Sequence, residues 1–151
     1  MEEMDQALDL MGRGCNCSQA VLSVFGRRYG IDAETTMDLG RALGGGMGRL
    51  GLTCGAVSGA VLVMGLAGRG EKDEMARRKR SFGLTQELVS GFTARHGSIV
   101  CKELLGVDLT TPEGAKLFAE RELYATLCPN FVGEAARLLA ELLPAPAPRS
   151  D

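Results

Sequence analysis

The sequence predicts an all-α fold, and three observations carry that prediction. Apolar residues recur at three- and four-residue spacing, no segment sustains the alternation of a half-buried strand, and helix-capping side chains stand just before the periodic stretches. With 151 residues, 45% hydrophobic and 24% charged, the chain suits one domain with its own core and is short for two. The expected architecture is a single-domain bundle of about seven helices around a central apolar, glycine-rich helix at about 54–67. That domain spans 1–143, and the Pro/Ala stretch 144–151 has nothing to bury and reads as a disordered tail.

Met4, Ala7, Leu8 and Met11 share one helical face, so residues 3–12 form a short amphipathic helix that Gly12 and Gly14 end. Asn16 with Gln19 three residues later is a capping-box pattern. It puts Cys17 at the first helical position, and Ala20, Val21, Val24 and Phe25 carry the face on toward Gly30. Asp32 caps a third helix through Leu43. The glycine run from Gly44 to Gly51 follows; its GxGxxG spelling has no preceding strand and no βαβ frame, so it reads as a turn allowing close approach, not a dinucleotide loop. Thr53 then caps the central helix, with Cys54 in its first turn. Gly55 and Gly59 each cost a helix about 1 kcal/mol relative to Ala, so a backbone or a bound cofactor must press against their face.

Residues 71–96 read as one long helix or two abutting ones, with Met75, Phe82, Leu88, Val89 and Phe92 as the buried stripe and Gly83 and Gly91 as points of bending. His96, the only histidine, sits in the last turn, where the helix dipole accounts for it. Ser98 caps a short helix with Cys101 in its first turn, Leu104 and Leu105 on the same face and Gly106 as terminator. Thr111-Pro112-Glu113 opens a helix carrying Leu117, Phe118, Leu123 and Tyr124. Cys128-Pro129 opens the last one with Cys128 at the cap, and Phe131, Val132, Ala135, Leu138, Leu139 and Leu142 form its broad apolar face.

Charge and hydropathy exclude several functions. A net charge of −2 leaves no electrostatic footprint for nucleic acid, and Arg77-Arg78-Lys79-Arg80 has Asp73 and Glu74 at helical spacing, as a solvated face does. Leu50 to Gly68 is nineteen residues without charge, but a helix over 54–67 spans only about 21 Å against a hydrocarbon core of ~30 Å. A buried helix is expected there, not a membrane span. The first residues lack a basic segment followed by an apolar core, so a reducing, cytoplasmic compartment is expected. Cysteines there are free, catalytic or metal-bound more often than disulfide-bonded.

Four of the five cysteines, Cys17, Cys54, Cys101 and Cys128, fall at helix starts and on the apolar side of their helices. They lie 37, 47 and 27 residues apart, so only the fold can bring them together. A buried cysteine is also a small hydrophobe, and any one of the four could be that alone. The repeated placement favours convergence, with four positive helix ends aimed at the sulfurs and a reactive thiolate first suspected at Cys54.

Gly14-x-Asn16-Cys17-Ser18-Gln19-Ala20, the glycine-rich turn into Cys54-Gly55-Ala56-x-x-Gly59, Gly97-Ser98-x-x-Cys101-x-x-Leu104-Leu105-Gly106 and the late Cys128 together resemble the C-GCAxxG-C-C family of redox proteins, from about residue 5 to 143. The resemblance implies a small redox-active domain of prokaryotic type whose four characteristic cysteines are Cys17, Cys54, Cys101 and Cys128. It also implies an iron-sulfur centre on those thiols, as in relatives allied to haem electron-transfer proteins, and a redox partner protein. Cys15 departs from the family pattern by adding a fifth thiol, and Ser18 stands where Ala is common.

Three chemistries stay open at this level. The first is electron transfer through a cluster, most simply two-iron with four thiolate ligands, which the backbone at Gly55 and Gly59 could approach closely. The second is metal-free thiol-disulfide or peroxide chemistry in which Cys54 attacks and another cysteine resolves. The third is a four-cysteine zinc module that binds a partner, although the locally paired ligand spacing usual for structural zinc is missing. Whether the protein is an enzyme or a homodimer stays open too.

Overall fold

Capping chemistry sets most helix boundaries. Asn16 accepts the Gln19 N–H at 2.9 Å while the Gln19 side chain takes the Asn16 N–H at 3.1 Å, a reciprocal box that starts the second helix at Cys17. Asp32, Asp73 and Thr111 each accept the N–H three residues on and start helices in the same way. The computed structural model describes residues 2–145. In chain order the helices are α1 Glu2–Gly12, α2 Cys17–Gly26, α3 Ala33–Arg41, α4 Gly55–Ala67, α5 Glu74–His96, α6 Cys101–Leu105, α7 Pro112–Glu120, α8 Leu123–Thr126 and α9 Cys128–Leu142. Seven of them have nine residues or more, and among the described residues the β pairing is limited to one bridge, Thr53 with Val100. The fold class is all-α, a single domain.

The core lies where α2, α4 and α9 meet. Every residue of α2 from Ser18 to Gly26 is buried, and α4 packs against α2, α5 and α9 while α1 bridges α2 and α9. Phe25, Leu22, Met64, Phe92 and Leu139 are fully buried, each contributing roughly 1.5–3 kcal/mol by leaving water. Small residues bring the backbones together: a Cβ on Gly59 would stand 2.9 Å from the Ser18 carbonyl oxygen, and one on Gly40 would stand 2.9 Å from the Gln19 Cα. That approach lets Ser18 Oγ donate to the Gly40 carbonyl at 2.6 Å and Asn16 Nδ2 donate to that of Arg41 at 3.0 Å, so the start of α2 satisfies the orphan carbonyls at the end of α3. Among the described residues no helix is long and apolar enough to cross a membrane.

Several local expectations change. Helix α2 ends at Gly26, and a 3₁₀ turn over Arg27–Tyr29 carries the chain to Gly30, whose φ of 79° stops it. The helix from Thr111 is two helices, because Glu122 takes a left-handed φ of 50° between α7 and α8. Leu88 and Phe92 are buried as the spacing of α5 predicts, but Met75 and Phe82 are 76% and 60% exposed. The first half of α5 meets the end of α4 through other positions, Ser81 Oγ donating to the Met64 carbonyl at 2.9 Å and Arg80 Nε to that of Ala67 at 3.3 Å, and Met75 and Phe82 stay outside that contact. The expected tail over 144–151 lies outside the described residues from position 146 onward.

Candidate functional site

Each of the four cysteines reaches the site by a different local device. Cys17 is the first residue of α2, fixed by the Asn16–Gln19 box. Cys54 is itself the N-cap of α4, its φ of −50° and ψ of 132° turning the chain into the helix. Thr53 is not the cap expected; it forms the bridge with Val100 instead. Around that bridge the Cys54 N–H donates to the Ile99 carbonyl at 2.7 Å and the Cys101 N–H to that of Leu52 at 2.5 Å, so this short pairing holds Cys54 and Cys101 side by side. Cys101 is the first residue of α6 after Val100, while Ser98 Oγ accepts the Val100 N–H at 2.9 Å and braces the turn without capping the helix. Cys128 is the first residue of α9 and Pro129 the second, so the helix opens one position earlier than the sequence suggests, with Leu127 at the N-cap.

The glycine run shapes the wall opposite these helix starts. Residues 45–49 all have left-handed φ, between 59° and 71°, and close on themselves through the Gly48 N–H to the Ala42 carbonyl at 2.8 Å and the Leu52 N–H to that of Gly46 at 2.9 Å. Such a coil favours glycine, yet Met47 and Arg49 also adopt it, at roughly 1–2 kcal/mol each. Its inner side presses on the thiols: a Cβ on Gly46 would stand 2.6 Å from the Cys101 Cβ. From α4, Gly55 meets the Cys17 Cβ in the same manner, at 3.3 Å.

Together these segments enclose a cavity of about 510 Å³, and all four cysteines line it. Cys54, Cys101 and Cys128 are 4%, 7% and 7% exposed, so the sulfurs form its floor. Arg41, Gly48 and Arg49 are exposed and mark its mouth. Among the described residues no three His, Cys, Asp or Glu side chains are placed to hold a single ion; the thiols surround a space and do not close on a point.

The sulfurs feel one another. Each of the six pairs among Cys17, Cys54, Cys101 and Cys128 is close enough for the charge on one to oppose ionisation of another. The interaction between Cys17 and Cys128 holds Cys128 below the ordinary thiol range and Cys17 well above it. Burial pushes Cys54 up to about 11 and Cys101 to about 12. The expectation of an ionised thiol at Cys54 therefore fails, because loss of water there outweighs the N–H groups of Ala56 and Val57. The favoured thiolate is Cys128.

Of the two glycines expected against a bound group, Gly55 lines the cavity, while Gly59 does not and serves the packing of α4 on Ser18. Cys15 lies off the cavity, buried with its Sγ 3.9 Å from the Met37 Sδ. The cavity also holds residues that the sequence does not single out, chiefly Arg41 and Arg49; Tyr124, read there as an apolar face residue, lines the wall beside Cys17 and Cys128. A charged residue set among glycines at 49 is the one sequence signal that could have marked its part of the wall.

The fold and the site define a small all-helical protein whose four cysteines, from four separate helix starts, line one cavity. The profile of the family described as "Putative redox-active protein (C_GCAxxG_C_C)" matches residues 15–142, and the chain belongs to that family. Neither the curated proteins nor the solved structures give a match.

Proposed function

We propose that Cys17, Cys54, Cys101 and Cys128 bind an iron-sulfur cluster, most simply a two-iron one, through which the protein exchanges single electrons with a redox partner. The carrying observation is four thiols from four helix starts around a shared space, too open for one ion and all within electrostatic reach of one another. Three thiols held above their ordinary ionisation range, Cys17, Cys54 and Cys101, with Cys128 beside them, are a ligand set in need of positive charge, and iron supplies it along with a reversible one-electron change. The chain does the rest: the N–H groups of Ala56 and Val57 face the Cys54 sulfur, the Cys128 N–H faces its own, and Gly46 and Gly55 bring backbone close. Anaerobic isolation followed by iron and acid-labile sulfide analysis tests this. About two of each per chain and a brown colour are expected; folded, colourless protein without iron would overturn it, and stoichiometric zinc would redirect it.

The pairing of Cys17 with Cys128 on one cavity wall, one thiol held above and the other below its ordinary range, favours one second reading, metal-free disulfide reduction. The Cys128 thiolate would attack a substrate disulfide and expel one thiolate. Cys17, losing its proton, would then displace the second and close a Cys17–Cys128 bond. Two electrons and the Cys17 proton pass to the substrate, whose other sulfur leaves as a thiolate and takes its proton from water. Thiol counts on denatured protein before and after mild oxidation separate the readings: a loss of two at Cys17 and Cys128 in iron-free protein supports this one, and no loss refutes it.

A further inference from the structure

We infer that the cysteine-lined cavity also binds a small organic anion with an apolar body, whose negative group is held by Arg49. This goes beyond the redox reading and concerns the part of the cavity between its mouth and the apolar wall, which a cluster on the four sulfurs would border. The cavity's volume of about 510 Å³ lies within the roughly 300–1,000 Å³ range of small-molecule sites. Its nineteen lining residues include two arginines and no aspartate or glutamate, so the acidic groups on the wall are the four thiols and the Tyr124 phenol.

The two arginines differ. Arg41 is already paired with Asp38 at 2.9 Å. Arg49 pairs with no carboxylate among the described residues; its guanidinium lies 5.7 Å from the centre of the Phe118 ring, close enough for the charge to act on the thiol of Cys101. Phe118 takes one face of the guanidinium and leaves its N–H edge free for a carboxylate, sulfonate or phosphate oxygen. The placement is costly, since Arg49 keeps a φ of 63° that glycine would hold without strain. Leu104, Leu105, Leu109 and Phe131 supply an apolar wall for the rest of the molecule. Charge at the mouth and apolar surface inside select an amphiphilic anion over an inorganic one.

Two dyes with one aromatic body test the assignment by equilibrium dialysis against the full chain: 8-anilinonaphthalene-1-sulfonate, which is anionic, and N-phenyl-1-naphthylamine, which is not. Saturable uptake of one sulfonate per chain is expected, with the neutral amine about tenfold weaker or worse. Arg49→Gly is expected to lower sulfonate affinity by about tenfold or more. The same variant should keep or raise the thermal midpoint, because glycine suits the left-handed φ, so lost binding cannot be lost folding. Equal uptake of both dyes, undiminished binding by Arg49→Gly, or no saturable uptake by the wild-type protein would each overturn the inference. Iron measured on the same samples reports on the cluster separately, so the two readings fail independently.

Discussion

Gly46 and Cys101 leave no room for a side chain between them: a Cβ on Gly46 would stand 2.6 Å from the Cys101 Cβ and 2.7 Å from the Leu52 nitrogen. Gly46 also has a φ of 71°. Gly46→Ala therefore combines left-handed strain with a clash against the site floor and should cost about 2–4 kcal/mol. Gly48→Ala is the control, since Gly48 has a φ of 59° but nothing within 4 Å of its Cβ position. It should lose about 1 kcal/mol. Urea unfolding of both variants measures the difference, and equal losses would mean the contact with Cys101 has no energetic weight.

The parts of this fold written locally were legible. Asn16 with Gln19, Asp32, and Thr111 with Pro112 place helix starts because the capping bond lies within three residues of its own helix. The convergence of the cysteines was legible as a shared position and a shared apolar side. Thr53 misleads because a competing partner, Val100, lies forty-seven residues away and takes its backbone into a bridge. Met75 and Phe82 mislead because spacing identifies a stripe without saying which face the neighbour takes, and at this end of α5 the contact with α4 runs through Ser81 and Arg80. Arg49 is marked only by its charge among glycines, because its place on the wall depends on a left-handed coil and on Phe118, sixty-nine residues further on.

His96 gives the protein a pH dependence that can be assigned to one side chain. Its ring stands 4.9 Å from Phe92 and 5.1 Å from Phe131, centre to centre, and its Nε2 is buried without a hydrogen-bond partner. Burial lowers its pKa from the ordinary histidine value; Glu134 opposes the shift and Arg95 adds to it. The unfolded chain therefore takes up the proton more readily, so the contribution to stability is complete above the ordinary histidine pKa and is lost as pH falls through it toward the lower folded value. Stability should fall from about pH 7.5 to 5.5 with a slope no steeper than about 1.4 kcal/mol per pH unit, one proton's worth. With no other histidine in the chain, His96→Phe should flatten that slope while keeping a ring between the two phenylalanines. An unchanged slope in the variant would assign the proton elsewhere.

Cys15 separates membership of the site from nearness in sequence. It lies two residues before Cys17, yet its sulfur packs against Met37 and does not line the cavity. Cys15→Ser should therefore retain full iron after anaerobic isolation, whereas serine at Cys17, Cys54, Cys101 or Cys128 should each abolish stable loading. Iron per chain and visible absorbance read this directly. Loss of iron in Cys15→Ser, with loading kept in one of the other four, would place the ligand set differently from the cavity.

Tyr124 ties the segment before Cys17 to the far side of the site. Its hydroxyl lies 2.6 Å from the carbonyl oxygens of both Met11 and Cys15, and one phenolic proton serves the two acceptors. Between those carbonyls the chain turns through Gly14 at a φ of 98°, with the Gly14 N–H on the Met11 carbonyl at 2.9 Å and the Cys15 N–H on that of Leu10 at 3.1 Å. Tyr124→Phe keeps the ring in the wall but withdraws the bond, for a loss of about 0.5–1.5 kcal/mol. The turn should loosen first, because few other bonds hold it, and α2 begins only two residues further on. Hydrogen exchange should therefore quicken at Gly14 and Cys15 while the amides of α5, remote from the turn, keep their protection. Uniform loss of protection across α5 and α9 would show that Tyr124 supports the whole bundle and not the placement of Cys17.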